Sequence, residues 1–132
     1  MKVLAVMLLC AIGSFPMSPV ESHLDHQLRS WQKRLGMDDW RLSIRLVRQK
    51  DLDKNTWGNA EWNPDDKTGT ISLLDPADYN LRGGDLRLDM ECTIVHELVH
   101  IQVGPLDAPD ETVREDVVNR IMNALLNRPC PN

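Results

Sequence analysis

Residues 91–101 read Glu91-Cys92-Thr93-Ile94-Val95-His96-Glu97-Leu98-Val99-His100-Ile101. Ile94, Val95, Leu98, Val99 and Ile101 leave no wide polar face if the segment is helical. A helix that is apolar nearly all round belongs in the middle of a fold, so the rest of the chain must pack around it. Buried polar groups need partners, and two histidines and a glutamate in such a helix need a shared reason to be there. Residues four apart lie on one face, so His96 and His100 can address a single ion. Glu97, beside the first histidine, can face the same side and take a proton from a water on that ion. Zinc accepts neutral imidazole at about 2.0–2.1 Å, and its reactive sites use three protein ligands plus a water whose pKa falls towards about 7. Shuffling a chain with this content of His and Glu yields H-E-x-x-H roughly once in 200 trials.

The third ligand must be an acid. The chain has 4 histidines and none follows His100, which excludes a third histidine downstream. Downstream acids are Asp107, Asp110, Glu111, Glu115 and Asp116. Val118, Met122 and Leu125 form a stripe at spacings of four and three, and Glu115 extends it backwards by three. An acid on a buried stripe is unfavourable unless paired or metal-bound, which selects Glu115. Glu111, one turn earlier, is the alternative, although a first-turn acid also simply complements the helix dipole. Asn119, one turn after Glu115, is placed either to support a ligand from behind or to face solvent. Cys92 sits a turn before His96, too far back along the axis for a short side chain to join both histidines on one ion.

Around this centre the chain divides readily. Ser18-Pro19-Val20-Glu21 is a capping box with proline at the first helical position. Val20, Leu24, Leu28, Trp31 and Leu35 then mark one face of a helix that Gly36 ends, with His23 and His26 on or near its polar side. Arg41 to Leu46 alternates polar and apolar residues, the period of a half-buried strand. Trp57–Trp62 and Thr70–Leu74 read as two more strands, joined by turn residues 63–69 into an antiparallel hairpin. Helices are expected from about Leu88 to Val103, stopped by Gly104-Pro105, and from about Asp110 to Asn127. The order predicts an α+β domain: an N-terminal helix, a small, mainly antiparallel three-stranded sheet, the H-E-x-x-H helix and a final helix carrying the glutamate.

With 132 residues, 42% hydrophobic and 27% charged, the chain suits one soluble globular domain. A net charge of −5 without a Lys/Arg cluster argues against nucleic acid as a partner. Met1 to Gly13 carries Lys2, an apolar run and Ala11-Ile12-Gly13, the pattern of a secretory signal peptide. That run is shorter than the ~20 residues a membrane span needs. The domain is therefore taken as 18–128, with a tail at 129–132, in a secreted or periplasmic protein; a cytoplasmic location is the alternative. Removing the leader removes Cys10 and leaves Cys92 and Cys130, either bridged or as two free thiols.

His96-Glu97-x-x-His100 followed by Glu115 on a separate helix resembles the gluzincin metallopeptidases, in the stripped-down form of the minigluzincins. Asn59-Ala60-Glu61-Trp62 is similar to the Asn-Ala-aromatic-Trp stretch on the edge strand of thermolysin-like enzymes. The resemblance spans roughly 18–128. It implies a zincin-like fold and one zinc ion on His96, His100 and Glu115. It also implies Glu97 as general base and a monomer that docks a peptide substrate along Asn59–Trp62. Two departures stand out. His100 and Glu115 are only 15 residues apart, which asks for a tight turn over 102–109. No downstream histidine is present to stabilise an oxyanion; Tyr79, Arg82 and Arg87 are the other donors considered. Two further readings accompany the peptidase: a zinc-stabilised peptide-binding module without turnover, and a cytosolic regulatory peptidase with one protein substrate.

Overall fold

Ser18 opens the first helix in the expected way. Its hydroxyl accepts the Glu21 N–H at 3.2 Å, and the Glu21 carboxylate accepts the Ser18 N–H at 2.9 Å. The computed structural model describes residues 16–106 and 110–132, so the expected leader at 1–13 and the candidate acid Asp107 lie outside the described residues. Helix α1 spans Pro19–Arg34 and buries Leu24, Leu28 and Trp31. Val20, counted on the same stripe, is exposed, because it precedes the part of the helix that reaches the core. Gly36 follows with φ +67°, the left-handed conformation that lets the chain reverse after the helix.

Three strands follow: β1 (Arg41–Val47), β2 (Gly58–Asn63) and β3 (Thr68–Leu74). The sheet order is β1-β3-β2. The expected hairpin is present, with β2 and β3 antiparallel and Ala60 opposite Ile71. Its turn is held by Asn63 Oδ1, which accepts the Asp65 N–H at 2.9 Å. The mainly antiparallel sheet is corrected to a mixed one, because β3 enters between its neighbours and runs parallel to β1, Ile44 beside Ile71. The reason is the long β1–β2 connection, which leaves room for the returning strand. Alternation along a strand encodes its buried face and not its partner. The arrangement leaves β2 at an edge.

Helix α2 (Gly83–Val103) is longer than the predicted segment by more than a turn. Gly83, at φ +57°, and Gly84 enter its first turn rather than a preceding loop. Met90, Cys92, Ile94, Val95, Leu98, Val99 and Ile101 are all buried. Helix α1, the sheet and helix α3 (Glu111–Leu126) pack around it. Asp110 caps α3, accepting the Val113 N–H at 2.9 Å, and Asn127 ends it in the left-handed conformation. The helix buries Val118 and Met122 against α2. Beyond it, Cys130 is bridged to Cys92 with Cα atoms 6.2 Å apart, which resolves the open choice between bridge and free thiols. Closing a loop with a sequence separation of 38 residues restricts the unfolded chain by about 4 kcal/mol in the chain-entropy treatment. Glu91 adds a second tie, accepting from Trp31 Nε1 at 2.9 Å and lying 3.6 Å from the Arg128 guanidinium. No helix among the described residues is long and apolar enough to cross a membrane.

The edge strand β2 lies hard against α2. A Cβ added to Gly58 would stand 2.6 Å from the Ser72 carbonyl oxygen and 2.7 Å from Thr93 Cγ2. At the other end of the strand, the Trp62 ring comes within 3.3 Å of where a Cβ on Gly104 would sit. Strand and helix thus form two walls of one groove, and α3 supplies the third.

Candidate metal centre

The rigidity of α2 brings His96 and His100 together. Their Nε2 atoms are 3.1 Å apart, with the rings nearly edge to face. Helix α3 delivers Glu115 to the same point: its Oε1 is 2.7 Å from His100 Nε2 and its Oε2 is 3.4 Å from His96 Nε2. One donor atom from each residue lies within 4.8 Å of the other two, so the three could hold a metal ion. Bonds of about 2.0–2.1 Å at tetrahedral angles would set ligand atoms about 3.3 Å apart. The observed separations of 2.7 to 3.4 Å need only small adjustments to match.

The protonation states suit such a role. His96 Nδ1 lies 3.1 Å from Asn119 Oδ1 and donates to it, which leaves the Nε2 lone pair directed at the centre. Burial, and then the charge of His100, hold the His96 imidazole below its ordinary range, favouring the neutral form that a metal takes. Glu97 is 7% exposed and stands beside the triad without belonging to it. Burial, assisted by the negative charge of Glu115, lifts its carboxyl from the usual range to about 7. Beside a bound cation that rise would be opposed.

Of the acids weighed from sequence, Glu115 reaches the histidines. Its side chain is 40% exposed, less buried than the stripe implied, because it faces the cleft rather than the core. Glu111 instead faces Arg114 at 3.5 Å. Asp110 caps α3, and Asp116 pairs with Arg120 at 2.6 Å. Asn119 takes the supporting position, and Cys92 belongs to the disulfide.

The triad opens onto a cleft of about 750 Å³, walled by β2 from Gly58 to Trp62, by α2 and by α3. Tyr79, Arg82 and Arg87, the donors considered from sequence, do not line it; Arg114 does. Nothing in the spacing of Arg114 distinguished it beforehand, since it precedes Glu115 on what looks like a solvated turn. Asp89, Trp57 and Cys130 also line the cleft and had no sequence signal that tied them to the centre.

No protein-family model matches the chain, and neither the curated proteins nor the solved structures contain a significant match. The reading of the site therefore rests on its own geometry.

Proposed function

We propose that the protein is a zinc-dependent peptidase acting on an extended peptide laid along β2. The observation that carries the reading is one cleft holding a His-His-Glu donor set, a buried carboxyl beside it and, along its wall, a strand edge that pairs with no other strand among the described residues. Zinc is the ion of choice because two neutral imidazoles and one carboxylate, with a fourth position open, are its usual catalytic ligand set. Held by His96, His100 and Glu115, it would supply Lewis acidity to a water and to the peptide carbonyl.

The chain's own groups account for the rest. The free edge of β2 offers N–H and C=O groups to the peptide backbone, which fixes its direction and places one bond opposite the triad. Glu97 takes the proton from the attacking water on a carboxylate oxygen and delivers it to the amide nitrogen as the C–N bond breaks. Asn119 keeps His96 oriented through its Nδ1–H. Arg114 is the guanidinium on the cleft wall and the candidate to meet the developing oxyanion, a part for which the sequence alone suggests Tyr79, Arg82 and Arg87 without selecting any. The Cys92–Cys130 bridge supports an exported protein, since disulfides persist in oxidising compartments.

The test is hydrolysis of a broad, end-capped peptide library by the zinc-loaded protein and by Glu97→Gln. Wild type should cut and the variant should lose at least about a hundredfold in rate, while both retain about one zinc per chain. A zinc-loaded wild type that leaves every peptide intact would transfer support to the peptide-binding module.

A further inference from the structure

Residues 129–132 reach the metal cleft although no helix or strand carries them there. Cys130 and Asn132 line it together with Asn119 and Met122 of α3. The same four residues also line a second hollow of about 590 Å³, which Asn123, Arg128 and Pro129 complete. The segment is therefore a partition, and open space rather than close packing lies between it and α3. What holds it is covalent. Among the described residues, no backbone–backbone hydrogen bond involves 129–132. Pro129 and Pro131 have no N–H to offer and keep the residues before them extended. Arg128 lies 3.6 Å from Glu91, a partly exposed pair of small worth. The bridge from Cys130 to Cys92 is left as the fastener, and Cys92 is buried in α2.

The place of that fastener along α2 sets a distance. Gly58 abuts Thr93 and Trp62 abuts Gly104, so β2 and α2 run alongside each other with the triad opposite the middle of the strand. Cys92 precedes His96 by four residues and His100 by eight, or about 6 and 12 Å along the helix. An extended peptide advances about 3.3 Å per residue, so about two or three residues fit between the triad and the partition.

We propose that the segment 129–132, fastened by the Cys92–Cys130 bridge, is the end stop of the substrate cleft and admits about two or three residues on one side of the bond at the triad. The protein then cuts near one end of its substrate rather than within a long chain. The proposal deepens the peptidase reading and rests on it for the peptide's path along β2. It adds the class of substrate: a peptide with a chain end close to the bond. Selection is steric, since a longer arm has to displace a segment that the bridge does not release.

Binding tests this without turnover. The probes are phosphinic pseudopeptides, in which a phosphinate replaces the bond to be cut and fixes the register on the zinc. Their alanine arms are lengthened one residue at a time on either side. Calorimetry of the zinc-loaded wild type should show one arm that is accepted up to about two or three residues and loses at least about tenfold in affinity at the next. Cys130→Ser should abolish that drop and leave the profile of the other arm unchanged. Asn132→Trp, which keeps the bridge and thickens the stop, should bring the drop at least one residue closer. Wild type that shows no drop on either arm, or binds none of the probes, overturns the proposal. A drop that stays in place in Asn132→Trp, or in a folded Cys130→Ser, also overturns it. Failure of the peptidase reading looks different: wild type then shows the drop yet cuts no peptide of the library. A wild type that cuts long peptides in their middle keeps that reading and sinks the end stop.

Discussion

Asn119 has a job that follows from one hydrogen. Its Oδ1 accepts from His96 Nδ1, so the other ring nitrogen keeps a lone pair aimed at Glu115 and His100. Asn119→Ala should weaken zinc binding by about 10- to 100-fold without unfolding the protein, measured by competition with a chromophoric chelator. Unchanged affinity would mean that packing alone orients the ring. Much of this centre is legible residue by residue. With so few histidines, the missing ligand has to be an acid, and the Val118–Met122 stripe singles out Glu115. Asp89 is not legible in that way, because the same apolar helix that betrays His96 and Glu97 offers no sign of which of its faces meets a cleft.

At the level of elements, the groove depends on how closely β2 approaches α2. Gly58 is the point of contact, and any Cβ there meets the Ser72 carbonyl and the Thr93 methyl. Gly58→Ala should therefore destabilise the protein by about 1–3 kcal/mol, read from denaturant midpoints. It should also move β2 away from the cleft, so that peptide affinity falls more than zinc affinity. A neutral effect would show that the strand is free to shift. The hairpin and all three helices follow from local signals such as the Ser18–Glu21 box, the Asn63–Gly69 turn and the heavy apolar run of α2. The insertion of β3 between β1 and β2 does not, since it is decided by loop length and packing rather than by any residue in the strands. The start of α2 is missed for a related reason: a Gly-Gly pair reads as a loop, yet the Arg82 carbonyl accepts the Leu86 N–H at 3.4 Å and opens the helix there.

For the molecule as a whole, the sheet and the α2 entrance are tied at one surface point. Asp78 receives two hydrogen bonds from the Arg48 guanidinium, at 2.6 and 2.8 Å, and one from the Gln49 N–H. These bonds hold the Asp78 carboxyl at about 2, below the ordinary value of about 3.9. A carboxyl depressed in the folded state stabilises the fold above its unfolded pKa and loses that contribution as pH falls through its folded one. Wild type should consequently melt higher than Asp78→Asn near pH 6, with the gap closing between about pH 4 and pH 2. A gap that is constant across that range would assign the difference to packing.

The His-His-Glu centre is tested most directly by metal analysis of purified protein after dialysis against zinc, comparing wild type with Glu115→Ala and Glu111→Ala. Wild type and Glu111→Ala should each retain about one zinc per chain, while Glu115→Ala should lose it or hold it far more weakly. A wild type that retains no zinc, or a loss confined to Glu111→Ala, would contradict the assignment of the centre to His96, His100 and Glu115.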